Sequence, residues 1–175
     1  ARPWDGPPGG RVKVLTDRDG DGQYDEATIF LDGLTFPTGV FPWRDGIIVT
    51  SSPEILFAKD TDGDGVADVR EVLYSGFVES NPQHRINGFD YGLDNWLYLA
   101  SGASSGEILC TKTGETVNIS GRDIRIQPDA GTLETLSGRS QYGRCRDQWN
   151  RWFGNTNSQP LFQFVVEDGD LRRNP

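Results

Sequence analysis

Two acidic loops of one design recur 43 residues apart, and no other feature limits the fold of this chain as strongly. The first reads Asp17-Arg-Asp19-Gly-Asp21-Gly22-Gln23-Tyr-Asp25-Glu26, the second Asp60-Thr-Asp62-Gly-Asp64-Gly65-Val66-Ala-Asp68-Val-Arg-Glu71. Carboxylates at positions 1, 3, 5 and 9 with glycine at position 6 form the ligand pattern of an EF-hand-like calcium loop. Alternate side chains turn toward one hard cation, the backbone carbonyl at position 7 (Gln23, Val66) adds an oxygen, and the glycine permits the sharp turn. The second copy also has Glu71 at position 12, where an EF-hand carries its bidentate ligand, whereas the first has Thr28 there. The second loop is therefore predicted to bind more tightly. Either copy alone also fits a solvated turn without an ion, since Asp and Gly are common turn formers. Two copies in one setting favour calcium.

That setting excludes an ordinary EF-hand. The flanks Arg11–Thr16, Ala27–Leu31, Glu54–Lys59 and Val69–Tyr74 are rich in β-branched and aromatic residues and read as short strands, so each loop is predicted to close a β-hairpin. A second echo, offset by 49 residues, matches 38–50 to 87–99, each a strand, an Asp-Gly or Asp-Asn turn and another apolar strand. The spacing predicts four-stranded units. The best formed runs 36–43, 46–51, 54–59 and 69–76. The next runs 85–93, 96–101, about 106–112 or 116–120, and 123–128 with a hairpin to 132–136. Partial units are expected at 11–16 with 28–33, and from Tyr142 to Val166. Helical periodicity is nearly absent. Units of this length and turn chemistry predict an all-β chain, a β-propeller arc of four-stranded antiparallel blades, with about two full and two partial blades in one domain over 1–175.

The chain has 175 residues and a formal net charge of −9, which argues against nucleic-acid binding, because phosphates would be repelled. No apolar run approaches the length of a membrane span. The opening Pro/Gly connector and the closing Arg172-Arg173-Asn-Pro175 predict a segment of a longer protein and a larger propeller. Cys110 and Cys145 fit no metal or haem spacing; a disulfide and two buried free thiols both remain open.

In a propeller, inner strands and top loops carry ligand sites. His84, the one histidine, sits in Asn81-Pro-Gln-His84-Arg85-Ile-Asn87-Gly88 at the head of a predicted inner strand. A lone histidine is often structural; as a base it suits near-neutral pH. The neighbouring run Gln141-Tyr142-Gly-Arg144-Cys145-Arg146-Asp147 brings two arginines that either brace a blade or face a ligand. Asn155-Thr-Asn157-Ser-Gln159 reads as a turn.

Four stretches together resemble the bacterial membrane-bound dehydrogenase β-propeller family: Gly9–Gly22, Gly33–Trp43, Asp60–Leu73 and Gln83–Tyr98. The likeness runs on through Gly121–Ile126 and Trp152–Ser158, covering nearly the whole chain. More distantly, His84–Tyr98 is similar to the stretch bearing the catalytic base of soluble quinoprotein sugar dehydrogenases, six-bladed propellers that use pyrroloquinoline quinone and calcium. The resemblance implies an exported, periplasmic, quinone-dependent sugar or alcohol dehydrogenase with His84 as general base. Arg144 or Arg146 would hold the quinone's carboxylates or its developing oxyanion. It also implies a c-type cytochrome domain as electron acceptor. The chain contains no Cys-x-x-Cys-His, so any haem lies in sequence outside it. The calcium loops fall in outer hairpins, which makes their ions structural. The competing expectation is a non-catalytic calcium-stabilised propeller that binds a glycan or protein partner, its channel plugged by aromatics such as Trp43 or Trp96.

Overall fold

Runs rich in β-branched and aromatic residues divide the chain into short strands whose connections are rich in Gly, Asp and Pro. The computed structural model describes residues 6–79 and 81–173. The first residues of the Pro/Gly opening, Ser80 and the closing Asn174 and Pro175 lie outside the described residues. The strands are β1 (Gly10–Thr16), β2 (Glu26–Leu34), β3 (Pro37–Trp43), β4 (Gly46–Ser51), β5 (Glu54–Lys59), β6 (Val69–Ser75), β7 (Asn87–Tyr91), β8 (Leu97–Ala100), β9 (Glu107–Cys110), β10 (Thr116–Asn118), β11 (Asp123–Gln127), β12 (Thr132–Leu136), β13 (Arg144–Arg146), β14 (Trp152–Gly154) and β15 (Phe162–Gln163). A 3-10 turn at Pro82–His84 and a short helix, α1 (Asp168–Arg173), are the only helical elements among the described residues. None is long and apolar enough to cross a membrane.

The strands form four antiparallel sheets: β1-β2, β10-β9-β6-β5-β4-β3, β12-β11-β8-β7 and β13-β14-β15. The all-β expectation holds, and the unit 36–76 has the predicted strand order. The following unit requires a correction. Segments 106–112 and 116–120 are not its third strand; β9 leaves that sheet and pairs with β6, with Tyr74 opposite Cys110, and β10 extends the edge further. The places alongside β8 go to β11 and then β12. Burial explains the detour: Ile108 and Cys110 are fully buried between the two sheets, and the Thr111 hydroxyl donates to the Val72 and Leu73 carbonyls, so the edge of β6 is covered.

Period-two alternation connects the sheets. From β4 and β5, Ile48 and Ile55 face Leu97, Leu99, Ile124 and Ile126 of the four-stranded sheet. On their opposite faces Val49, Leu56 and Ala58 meet Phe30, Leu31 and Leu34 of β2. From β8, Tyr98 points the other way, to Leu136 and Trp152, its ring stacked on that of Trp152 with centroids 3.9 Å apart. Each such fully buried aliphatic side chain contributes about 1.5–3 kcal/mol. The sheets thus stack face to face in chain order. Their first strands also lie side by side, β1 by β3, β3 by β7 and β7 by β13. At the last of these, Gly88 has φ 68° and a Cβ there would meet the Cα of Gly143, so only glycine lets the two backbones approach. All first strands run the same way: Gly10 lies against Pro37, and the Thr38 hydroxyl donates to the Ile86 carbonyl at 2.5 Å. One end of the stack therefore carries the acidic loops, and the other carries the connection with His84.

Candidate functional site

Both acidic loops close hairpins, as their flanks predict: Thr16 pairs with Glu26 across the first, and Lys59 with Val69 across the second. In the second, the two oxygens of Asp60 accept the amides of Gly63 (2.7 Å) and Gly65 (2.8 Å), and Asp62 and Asp64 accept the amides two residues on (3.1 and 2.7 Å). The first repeats this, with Asp17 accepting from Gly20 (2.8 Å) and Gly22 (2.9 Å), Asp19 from Asp21 (3.2 Å) and Asp21 from Gln23 (2.7 Å). Gly22 (φ 89°) and Gly65 (φ 85°) take the left-handed turn that position 6 demands. Oxygens of Asp17, Asp19 and Asp21 lie within 4.8 Å of one another, as do those of Asp60, Asp62 and Asp64. Ligands on opposite sides of a calcium ion, each about 2.4 Å from it, span that distance. Amide donors from Gly63 and Gly65 hold the Asp60 carboxyl below the usual carboxylate range.

Positions 9 and 12 behave differently. Asp25 and Asp68 stand outside the triads and accept the position-2 amides, Arg18 at 3.0 Å and Thr61 at 2.7 Å, which fastens each loop at its base. The Thr61 amide and hydroxyl pull the Asp68 carboxyl downward as well. Glu71 is not near its triad. It sits on β6 opposite Phe57 and lines a cleft of about 520 Å³ with Trp43, Arg44, Lys112 and Asp129. A strand advances about 3.3 Å per residue, so position 12 is carried about 10 Å beyond position 9. The helix of an EF-hand brings that residue back, but a hairpin cannot. The stated reason for tighter binding at the second loop is thereby removed. The second loop instead leans on the first sheet, where the Ala67 amide donates to the Phe30 carbonyl at 2.9 Å and Gly65 lies against Thr28.

His84 ends the 3-10 turn, half-buried at the opposite end of the stack. Asn81 caps the turn by accepting the Gln83 amide at 3.0 Å. His84 Nδ1 lies 2.8 Å from the Gly102 carbonyl oxygen, and the Ser104 hydroxyl donates to the His84 carbonyl. Nε2 has no partner among the described residues. Next to it, Asn87 ties β7 to the segment that leads into β13 of the fourth sheet, donating to the Gln141 carbonyl at 2.9 Å and accepting the Gly143 amide at 2.7 Å.

The two arginines do not join His84. Arg144 is buried, its Nη1 donating to Asp123 at 3.0 Å and to the Ser137 carbonyl at 2.8 Å, with its guanidinium 3.7 Å from the Phe164 ring centroid. Burial pulls its pKa down and the Asp123 carboxylate opposes that. Arg144 is thus a brace between sheets. Arg146 donates from Nε to the Tyr91 carbonyl at 3.0 Å, at the far end of β7, a strand about 13 Å long. With Arg144 committed to Asp123 and Arg146 held at the far end of β7, the two do not form a carboxylate clamp beside His84, and these residues do not fit a quinone there. Trp43 packs near Tyr91 and donates to Asp129 at 3.1 Å, and Trp96 carries the Arg125 guanidinium 4.6 Å from its ring. Both cysteines are free, Cys110 buried and Cys145 exposed, which corrects the expectation of two buried thiols. Asn155 to Gln159 form the expected turn, but Asn155 and Asn157 also bind Tyr142 (2.8 and 3.1 Å), steadying the head of β13.

Sequence reasoning passed over Asp123 and Gly102. Asp123 is fully buried and accepts from Ser101, Ser140 and Arg144; the only hint was an aspartate opening the apolar strand Asp123-Ile-Arg-Ile. Stacked antiparallel sheets with acidic hairpin loops at one end and a histidine turn at the other define a repetitive all-β protein. The chain belongs to the family described as Domain of unknown function (DUF7133), whose model matches residues 2–175. No curated protein matches it.

Proposed function

We propose that this chain is an arc of a calcium-stabilised β-propeller from an exported sugar- or alcohol-oxidising enzyme, with His84 as the proton acceptor. Three features support the propeller: face-to-face stacking in chain order, first strands side by side, and connections alternating between two ends. Calcium is supported by the two carboxylate triads, which sit at the end of the stack opposite His84 and serve stability rather than chemistry. The observation that carries the catalytic part is the His84 ring, whose Nδ1 is engaged by a carbonyl while Nε2 stands open at the head of a first strand. In this reading Nε2 takes the proton of a substrate hydroxyl as the carbon-bound hydride leaves to an electron acceptor. No step through pyrroloquinoline quinone is derived, because Arg144 and Arg146 do not flank His84. The hydride would pass to a two-electron organic acceptor bound by other blades of the full protein, and a c-type cytochrome domain, a one-electron carrier, would then reoxidise that acceptor in two single-electron steps.

The test is dye-linked oxidation of a panel of sugars and alcohols by the full-length protein with calcium, with and without added quinone, beside His84→Gln. Turnover lost in the variant is expected. A second reading, a non-catalytic propeller that binds a glycan or protein, is favoured by the engagement of Arg144 with Asp123. No turnover on any substrate, with intact folding, would establish it instead.

A further inference from the structure

The Gly102 carbonyl that meets His84 is held in place from behind. A carbonyl oxygen only accepts, so His84 Nδ1 must carry the proton in the neutral ring, and the lone pair falls on Nε2. Gly102 (φ 69°) and Ala103 (φ 58°) are consecutive left-handed residues, and for Ala103 that conformation is strained and needs outside support. The support is explicit. The Ala103 amide donates to the Ser140 carbonyl at 3.0 Å, and Arg139 donates to the Ala103 carbonyl from Nε (3.2 Å) and Nη2 (2.9 Å). The Ser101 amide donates to Asp123 Oδ1 at 3.1 Å; Ser140 gives Asp123 its amide at 2.9 Å and its hydroxyl at 2.6 Å. Both chain segments that shape residues 101–104 are thus tied to one buried carboxylate, whose charge is balanced by Arg144 Nη1 at 3.0 Å. A Cβ on Gly102 would collide with the backbone of His84 and Arg85, so the loop and the histidine turn are packed without slack.

We propose that Asp123, charge-balanced by Arg144, is a positioning residue for His84: through Ser101 and Ser140 it fixes the Gly102 carbonyl, which locks the imidazole as the Nδ1–H tautomer and presents an unprotonated Nε2 as acceptor for a substrate hydroxyl. The inference deepens the reading of His84 as a proton acceptor and rests on it for its purpose, but the lock itself can be observed without turnover. A hydrogen-bond partner fixed on one ring nitrogen sets tautomer and ring orientation in histidine sites generally.

His84 is the one histidine of residues 1–175, and in the full-length protein its imidazole nitrogens are the signals that disappear in His84→Gln. The experiment is long-range proton–nitrogen NMR on protein labelled with nitrogen-15 histidine, at about pH 8.5, two units above the ordinary imidazole value. Wild type should show a pyrrole-like Nδ1 and a pyridine-like Nε2. Asp123→Asn and the milder Ser140→Ala, which removes only one of the donors to Asp123, should bring the two nitrogen shifts toward each other as the tautomers mix. A wild-type spectrum with the proton on Nε2, or already averaged, overturns the lock. An unchanged lock in folded Asp123→Asn, or in Ser140→Ala where Asp123→Asn does not fold, overturns the role of Asp123. An intact lock with no turnover would remove the catalytic reading of His84 while leaving this inference standing.

Discussion

Breaking the buried pair of Asp123 and Arg144 from its two sides should give unequal losses. Their side chains are 0% and 3% exposed, so neither charge has water to fall back on. In Asp123→Asn the guanidinium keeps the Ser137 carbonyl and the faces of Phe164 and Trp152 but loses its carboxylate. That is an uncompensated buried cation, at a cost of about 3–5 kcal/mol. Asn also offers a single acceptor oxygen to the three donors from Ser101 and Ser140, so another 1–3 kcal/mol or so is at stake. In Arg144→Met the carboxylate retains all three donors, and the cost should sit near the lower end, about 3 kcal/mol. Against a typical domain stability of about 5–15 kcal/mol both effects are large. The double variant leaves no unpaired charge and should recover about 2–3 kcal/mol relative to the sum of the single changes. Urea unfolding at neutral pH with unchanged slope measures all four corners of the cycle. Equal single losses, a larger loss in Arg144→Met, or simple additivity would refute the asymmetry and the account of which partner is better supported.

For the acidic loops, calcium at a hundredfold excess over its dissociation constant should raise the thermal midpoint by about 5–11 °C per occupied loop, and Asp62→Ala with Asp64→Ala should abolish the second loop's share. An equal response in wild type and variant would rule out that site. Asp60 and Asp68 have carboxyls held below their ordinary value by amide donors, so their stability is present above the unfolded value near 4 and lost as pH falls through the folded one. In chelator, the midpoint should therefore respond to these two groups only below about pH 4, and Asp60→Asn should flatten that response. Tyr74→Phe removes a buried hydroxyl that lies 3.0 Å from the Thr132 carbonyl and 3.2 Å from that of Gln127; it should cost about 1 kcal/mol, or 2–4 °C. Gly88→Ala forces both a left-handed alanine and a backbone clash with Gly143, and should cost about 1–3 kcal/mol in urea; a neutral result would mean that β7 and β13 do not approach so closely.

How much of this was legible depended on whether the signal was local. The hairpins at 10–34 and 54–75 could be read because alternation, turn chemistry and the acidic motif sit within one stretch. Glu107-Ile-Leu-Cys110 alternates just as well, but nothing in four residues tells which sheet they join; the uncovered edge of β6, over thirty residues earlier, decides that. Glu71 was placed by analogy with a helix-flanked loop, and the strand geometry that follows Asp68 carries it away. For Arg144, alternation with Cys145 and Arg146 marks one face as inward, but its partner Asp123 belongs to the preceding sheet, and only the stacking of the two sheets brings the charges together. His84 could be picked out by type; the carbonyl that orients it comes from the small-residue run Ser101–Gly106, which reads as an ordinary loop.

The β9–β10 hairpin has a consequence for how the chain comes apart. Its residues lie between β8 and β11 in sequence yet complete the sheet that β3 to β6 began. The sheet of β3 to β6 is thus finished by chain belonging to the next unit, and neither can open at its outer edge without disturbing the connection that holds the other. The backbone amides of β6 and β11 should therefore exchange with solvent at one common rate, as parts of a single cooperative unit, where repeats joined only by face contacts could fray one at a time.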